Sequence, residues 1–171
     1  REMADGLIRI AAERATKQTP PTEPPAGLFD EFCARFPYEE TDDQLMAIGD
    51  VLEDLSGGKP MDRLICGDVG FGKTEVALRA AFVVAMSGQQ VAIVAPTTLL
   101  ARQHYKTFVE RFEGWPVRVR RLSRLVPAKE AADTREGLAS GEVEIVVGTH
   151  AVLSKQVSFK RLGLVIVDEE Q

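Results

Sequence analysis

The chain has little cysteine and no long apolar run, and each shortage narrows the class of protein. Its two cysteines, Cys33 and Cys66, lie far apart and lack the spacing of metal ligands, so neither a disulfide framework nor a zinc site is indicated. No apolar run approaches the roughly 20 residues that cross a membrane, and no signal peptide precedes the fold. We therefore expect a cytoplasmic protein in a reducing compartment, with no membrane partner.

The chain also lacks an excess of positive charge. Its formal net charge of −5 argues against a generally basic nucleic-acid binder, although a local basic face remains compatible with it. A length of 171 residues and a hydrophobic content of 44% suit one globular domain with a sizeable core. Because the chain opens with Arg1 and stops at Gln171, directly after an acidic run, we expect a piece of a longer protein.

The most informative motif reads Gly-Asp-Val-Gly-Phe-Gly-Lys-Thr and ends at Thr74. It follows a predicted strand and precedes a predicted helix, which is the context that a phosphate loop requires. In such a loop backbone N–H groups and the helix N-terminus bind phosphate oxygens, Lys73 reaches the β- and γ-phosphates, and the Thr74 hydroxyl ligates Mg²⁺. The loop predicts that the chain binds a nucleoside triphosphate, through Gly67, Asp68, Val69, Gly70, Phe71, Gly72, Lys73 and Thr74.

A second motif lies at the other end of the chain. The apolar run 162–167 is typical of a buried parallel strand, and it delivers Asp168 and Glu169 at its carboxyl end. Ligands of open α/β sheets bind at that edge. We expect Asp168 to hold Mg²⁺ through water, and Glu169 to orient and deprotonate an attacking water, with Lys73 as the other catalytic candidate. The ordinary alternative is a pair of carboxylates that only solvate a strand end.

The N-terminal part of the chain divides into short segments. Apolar residues at helical spacing predict an amphipathic connector helix over 1–18, and four prolines within 19–27 predict a stiff linker. A single domain is expected over 28–171. It opens with a short helix over 28–36, and the capping-box pattern Thr41–Gln44 begins a helix that runs to Leu55.

From residue 61 onward the pattern alternates between strand and helix. The alternation predicts an α/β fold with a parallel sheet and helices on both faces. The predicted strands are 61–66, 90–95, 117–122, 144–148 and 163–168. The predicted helices are 73–86, 98–112 and 129–139.

Five stretches, in order and with matching spacing, resemble superfamily-2 motor ATPases, and specifically the bacterial transcription-repair coupling factors. They are Phe36–Gln44, Met61–Thr74, Pro96–His104, Gly148–His150 and Asp168–Gln171. The resemblance implies the first of two RecA-like P-loop NTPase lobes, incomplete after the acidic motif. It also implies an ATP-driven double-stranded DNA translocase that displaces stalled RNA polymerase and recruits excision-repair proteins.

The resemblance also assigns roles to residues outside the phosphate loop. Tyr38 would pack on the base and Gln44 would bind the adenine edge, because an amide pairs with both N6 and N7 of adenine. Thr97 at a predicted helix N-terminus would clamp a DNA phosphate, or would only cap its helix. The remaining DNA contacts would come from Ser123, Arg124 and Thr149. The basic segment of Arg118, Arg120, Arg121 and Arg124 would add salt-sensitive binding to the DNA backbone, unless it is a solvated strand edge.

Other functions remain open. The RecG type of branched-DNA helicase shares most of these motifs, although Phe71 and Glu170 favour the coupling factors; Gln171 departs from the histidine of many members. A nucleotide-binding interaction module without turnover is the alternative from a different class. A GTPase is disfavoured, because the guanine-reading pattern Asn-Lys-x-Asp does not occur.

The resemblance carries one expectation about the sheet. A strand that follows Gln171 would insert between the strands 61–66 and 163–168. We therefore expect those two strands to lie apart in this chain, with a gap of roughly 10 Å, twice the usual spacing. The alternative is that they close up and pair.

Overall fold

The computed structural model describes residues 26–56, 61–65 and 71–168, with the backbone alone for 61–65 and 71–73. The predicted connector helix, most of the Pro-rich linker, residues 66–70 with Cys66, and residues 169–171 lie outside the described part. Within it, no helix is long and apolar enough to cross a membrane.

Along the part of the chain that the structure describes, five helices and five strands follow one another as the sequence pattern predicts. The helices are α1 (Leu28–Ala34), α2 (Asp42–Ser56), α3 (Phe71–Met86), α4 (Thr98–Arg111) and α5 (Ala128–Ser140). The strands are β1 (Met61–Ile65), β2 (Gln90–Val94), β3 (Val119–Leu122), β4 (Ile145–Gly148) and β5 (Leu162–Asp168). A 3₁₀ turn, His150–Leu153, follows β4.

The strands form one sheet in the order β1-β5-β2-β4-β3, and every pair is parallel. Because side chains alternate between the faces of a strand, this apolar sheet has to be buried by other elements on both faces. One face packs Val91, Ile93 and Leu164 against α2, α3 and the end of α4. The other packs Ala92 and Val165 against α5 and the 3₁₀ turn. The predicted parallel α/β fold with helices on both faces is confirmed.

The predicted gap between the strands 61–66 and 163–168 is wrong in this structure. β1 pairs directly with β5 in parallel, and Met61 lies opposite Leu164 and Ile65 opposite Asp168. Pairing gives partners to the backbone N–H and C=O groups that face each other across β1 and β5, whereas an open gap would leave those groups without any. This gain in hydrogen bonding is the physical reason that the strands close up.

An aromatic cluster fixes α1 against α3. The Phe32 ring stacks on that of Phe82 with their centroids 4.3 Å apart, and both side chains are fully buried. Phe112 and Trp115 complete the cluster beyond α4. Aromatic pairs of this kind stabilise a fold beyond the area that they bury. The segment that leads from α1 into α2 is thereby held beside α3.

Candidate functional site

The carboxyl edge of the sheet brings the two sequence motifs together. Asp168 ends β5 directly beside Ile65, the last residue of β1, after which the phosphate loop begins. α3 begins at Phe71 and carries Gly72, Lys73 and a half-buried Thr74 in its first turn. The loop residues Gly67, Asp68, Val69 and Gly70, and also Glu169, lie outside the described residues. Both features thus adjoin β1, since β5 pairs with this strand and α3 is the next helix after it in the chain.

The oxygen atoms at this edge fit a magnesium ion. Thr74 offers a hydroxyl and Asp168 a carboxylate, and Mg²⁺ in nucleotide sites is commonly bound by one or two such groups together with phosphates and water. A three-ligand protein cage is not required for this type of site, and none occurs among the described His, Cys, Asp and Glu residues. Thr74 and Asp168 would hold the ion, which when bound neutralises phosphate charge.

A histidine that the sequence reasoning passed over contacts the acidic motif. His104, in the middle of α4, lies with Nε2 2.6 Å from Oδ2 of Asp168. The two side chains are only 18% and 21% exposed, so the contact is largely enclosed. The signal was present in the stretch Pro96–His104, but 64 residues separate the partners, and only the sheet order brings them together.

The two proposed adenine contacts lie at the start of α2. Thr41 and Gln44 form a reciprocal capping box: Thr41 N–H donates to Gln44 Oε1 over 2.7 Å, and Gln44 N–H donates to Thr41 Oγ1 over 3.1 Å. The predicted capping box is therefore confirmed, and it fixes the position of the Gln44 amide. The Tyr38 ring contacts Phe36 edge-on and is 57% exposed, so a large part of its surface remains accessible to a base.

A buried ion cluster fastens this segment to the helix of the phosphate loop. Glu75, one residue after Thr74 and 1% exposed, accepts from Arg79 over 2.6 Å and from both terminal nitrogens of Arg111. Arg79 Nη2 also lies 3.4 Å from Glu40 Oε1. Burial opposes the charge of Arg79, but the hydrogen bond to Glu75, together with nearby negative groups, raises its pKa. The cluster therefore joins the loop before α2 to both α3 and α4.

A groove of about 530 Å³ lies at the carboxyl ends of β2, β4 and β3. All four predicted DNA-contact residues line this strand-end groove: Thr97, Ser123, Arg124 and Thr149. They come from three separate strand ends, and the fold alone gathers them. Arg135, from α5, lines the groove as well and belongs to no motif that the sequence analysis singled out.

Three hydroxyls in the groove each accept from a backbone N–H group two or three residues further along the chain. Thr97 Oγ1 accepts from Leu100 N–H over 3.2 Å, and it caps α4. Ser123 Oγ and Thr149 Oγ1 each accept from a backbone N–H two residues further on. The alternative that Thr97 caps its helix is therefore confirmed. A hydroxyl that accepts in this way still carries a proton to donate, so each side chain is an oriented donor.

The charge of the groove is opposite to that of the whole chain. Its described lining contains Arg124 and Arg135 but no Asp or Glu, although the chain carries a net charge of −5. A concave site lined by one sign of charge concentrates the potential that a ligand meets. The strand-end groove therefore favours an anion.

The arginines of the basic segment 118–124 have different environments in the structure. Arg121 donates twice to Glu130, and this hydrogen bond holds the pKa of the Glu130 carboxyl below its usual range. Arg118 lies 3.8 Å from Glu142 on an exposed surface. Arg124 is the member of the segment that lines the strand-end groove. The division follows from what each arginine meets in the fold: Glu130 on α5, Glu142 before β4, or the groove at the end of β3.

Comparison with known proteins agrees with this geometry. Residues 41–171 match the family model described as DEAD/DEAH box helicase, and the chain belongs to that family. Within it, the chain is similar over its whole length to transcription-repair-coupling factors. It is 51% identical to that of Rickettsia prowazekii (strain Madrid E), over 100% of this chain and 16% of the relative. It is also 51% identical to that of Bacillus subtilis (strain 168), over 99% of this chain and 14% of the relative.

A solved structure shows the same fold. RecG bound to a three-way DNA junction matches 99% of this chain and 23% of its own, with a TM-score of 0.81 and 37% identity. The RecA-like fold is thereby confirmed, and so is the resemblance on which it was predicted. The chain spans 14–16% of the length of the transcription-repair-coupling factors that it matches. Membership of a DEAD/DEAH box helicase family implies nucleotide binding.

Proposed function

We propose that this chain is the ATP-binding lobe of an ATP-driven double-stranded DNA translocase that displaces stalled RNA polymerase and couples transcription to excision repair. The observation that carries the DNA part is the strand-end groove, where three oriented hydroxyls and two arginines meet without a carboxylate. Hydroxyls and arginines bind phosphate oxygens, and contacts to phosphate carry no sequence information. Such a groove fits a duplex backbone of any sequence.

The proposed nucleotide site lies at the carboxyl edge of the sheet, next to β1. Lys73 and Thr74 would bind the phosphates and Mg²⁺, Asp168 would hold the ion through water, and Glu169 would orient the attacking water. Tyr38 and Gln44 would select adenine. The two sites lie at the carboxyl ends of neighbouring strands of one sheet, so a change at one is close enough to affect the other.

The salt dependence of DNA binding tests the groove. We expect Arg124→Ala and Arg135→Ala each to lower the slope of log affinity against log salt by about 0.9, because each removes one phosphate contact. Arg118→Ala is the matched control, since this exposed arginine pairs with Glu142 and does not line the groove. Fluorescence anisotropy with a labelled duplex of arbitrary sequence measures the slopes. Equal slopes in all four proteins would contradict the assignment.

Nucleotide binding has its own test. Lys73→Ala should weaken Mg·ATP or ADP binding at least tenfold, because it removes the positive side chain directed at the β- and γ-phosphates, and charge-assisted hydrogen bonds are the strong ones. Titration calorimetry that found equal affinities would overturn the site. A RecG-like activity is the second candidate, favoured by the match to RecG. In the full-length protein, unwinding of branched DNA without displacement of stalled polymerase would select it.

A further inference from the structure

The contact between His104 and Asp168 lies where the two proposed sites meet. Asp168 Oδ2 is 2.6 Å from His104 Nε2, a length typical of a strong hydrogen bond. An ionised carboxylate accepts and does not donate, so Nε2 carries the proton in this contact. About four-fifths of each side chain is enclosed, and the contact is therefore protected from competition by water.

The contact restricts the position of the carboxylate. Asp168 is the last residue of β5, and one of its two oxygens is engaged by a side chain from a different element. Hydrogen-bonded partners of this kind orient a metal-binding carboxylate, and removing them typically lowers metal affinity by about 10- to 100-fold. His104 therefore has the geometry of a residue that orients a ligand without binding the ion itself.

The helix that carries His104 also reaches the strand-end groove. Thr97 caps α4 inside the groove, and His104 follows it by seven residues. At a rise of 1.5 Å per residue, the two positions lie about 10 Å apart along one helix. Ala101 and Phe108 bury the inner side of α4, so the helix is packed as a unit against the rest of the fold. A shift of α4 at Thr97 would move His104 with it.

We infer that His104 is a positioning residue for Asp168, and that α4 couples phosphate-backbone binding at Thr97 to the affinity of the nucleotide site for Mg·ADP. This inference rests on the proposed function. Binding of a duplex backbone at the N-terminus of α4 changes the position of the helix, and His104 transmits that change to the carboxylate. Linkage requires the reverse effect to be equally large.

The first test separates positioning from support of the fold. His104→Ala should weaken ADP binding about tenfold in the presence of Mg²⁺ and change it less than about twofold in EDTA, because only the metal-dependent part uses Asp168. His104→Gln, whose amide nitrogen donates at a similar reach, should restore most of the loss. Lys106→Ala, on the exposed side of α4, is the control. Equal losses with and without Mg²⁺, or no loss in either, would overturn the positioning role.

The second test concerns the coupling. The affinity for Mg·ADP is measured with and without a saturating duplex, in the parent, His104→Ala and Lys106→Ala proteins. We expect the duplex to change the affinity of the parent and the control by the same factor, and to leave that of His104→Ala unchanged. A duplex effect that survives in His104→Ala would overturn the coupling. Failure of the parent to bind Mg·ADP or duplex would instead contradict the proposed function itself, and the inference with it.

Discussion

Gln44 combines a structural and a proposed recognition role in one side chain. Its amide oxygen accepts from the backbone of Thr41 and caps α2. The amide nitrogen carries the N–H donors from which adenine N7 would accept. The cap and the N7 contact therefore use different atoms and can be separated by substitution, whereas the oxygen that would pair with N6 also serves the cap.

Gln44→Glu should reduce the preference for ATP over GTP and leave the stability of the protein unchanged. Glutamate keeps an oxygen for the cap but loses the N–H donors. Its negative charge weakens the binding of both nucleotides, so the ratio of the two affinities is the quantity to measure. Competition against a fluorescent nucleotide gives this ratio. Gln44→Ala should lose the preference and also about 1 kcal/mol of stability, because the side-chain half of the capping box is gone. An unchanged ratio in the glutamate variant would remove the adenine assignment.

Glu75 is the negative centre of the buried cluster, and its charge cannot be removed without consequence. Glu75→Gln would leave Arg79 and Arg111 without their carboxylate partner and turn an amide towards two cations. We expect a loss of about 3 kcal/mol in the free energy of unfolding, as for other buried pairs that lose one member. Urea denaturation measures the loss. Glu136→Gln, an exposed substitution on α5, should change stability little, and a similar effect of both would contradict the role of the cluster.

The ends of β3 and β4 approach each other more closely than any side chain at Gly148 would permit. A Cβ atom added there would lie 2.0 Å from the carbonyl oxygen of Leu122 and 2.7 Å from Val152 Cγ2. Ser123 follows one of these strands and Thr149 the other. The backbone contact at Gly148 thus sets the separation of two hydroxyls in the strand-end groove.

Gly148→Ala should therefore lower both stability and DNA affinity, since the two strand ends must move apart to admit the methyl group. Gly49→Ala is the matched control. Gly49 lies within α2 with no atom near its added Cβ, and alanine there should raise stability by about 0.5–1 kcal/mol through helix propensity. Thermal denaturation and anisotropy with a labelled duplex measure the two effects. DNA affinity equal to that of the parent in Gly148→Ala would show that the groove does not depend on this contact.

At the scale of the whole molecule, the important feature is that the described residues form a single sheet. In two-lobed motors the partner lobe directs arginines at the γ-phosphate, and arginine fingers in comparable systems contribute about 10³–10⁵ in rate. The described residues form one five-stranded lobe.

We expect the purified 171-residue chain to bind nucleotide but to show no appreciable DNA-stimulated ATP hydrolysis. A coupled ATPase assay with and without duplex DNA tests this expectation. Turnover that Glu169→Gln abolished would show that one lobe suffices, and that the proposed mechanism is wrong.

The order of strands and helices could be read from the chain because the local signals are strong and agree. Apolar runs predicted strands at 90–95 and 144–148, and the structure has Gln90–Val94 and Ile145–Gly148. The capping box placed the start of α2 correctly, since its hydrogen bonds join residues three apart. The phosphate loop and the acidic motif, each a run of adjacent residues, were readable for the same reason.

Tertiary structure decided which distant residues meet. The direct pairing of β1 with β5, the contact of His104 with Asp168 and the convergence on the strand-end groove all depend on strand order, which no local pattern encodes. The basic segment of the sequence was divided by glutamates from other elements, so that Arg121 pairs with Glu130 while Arg124 lines the groove. Local periodicity fixes what each segment becomes, because it acts through neighbours in the chain. Contacts between side chains that are far apart in the sequence form only when the sheet brings the ends of remote strands together.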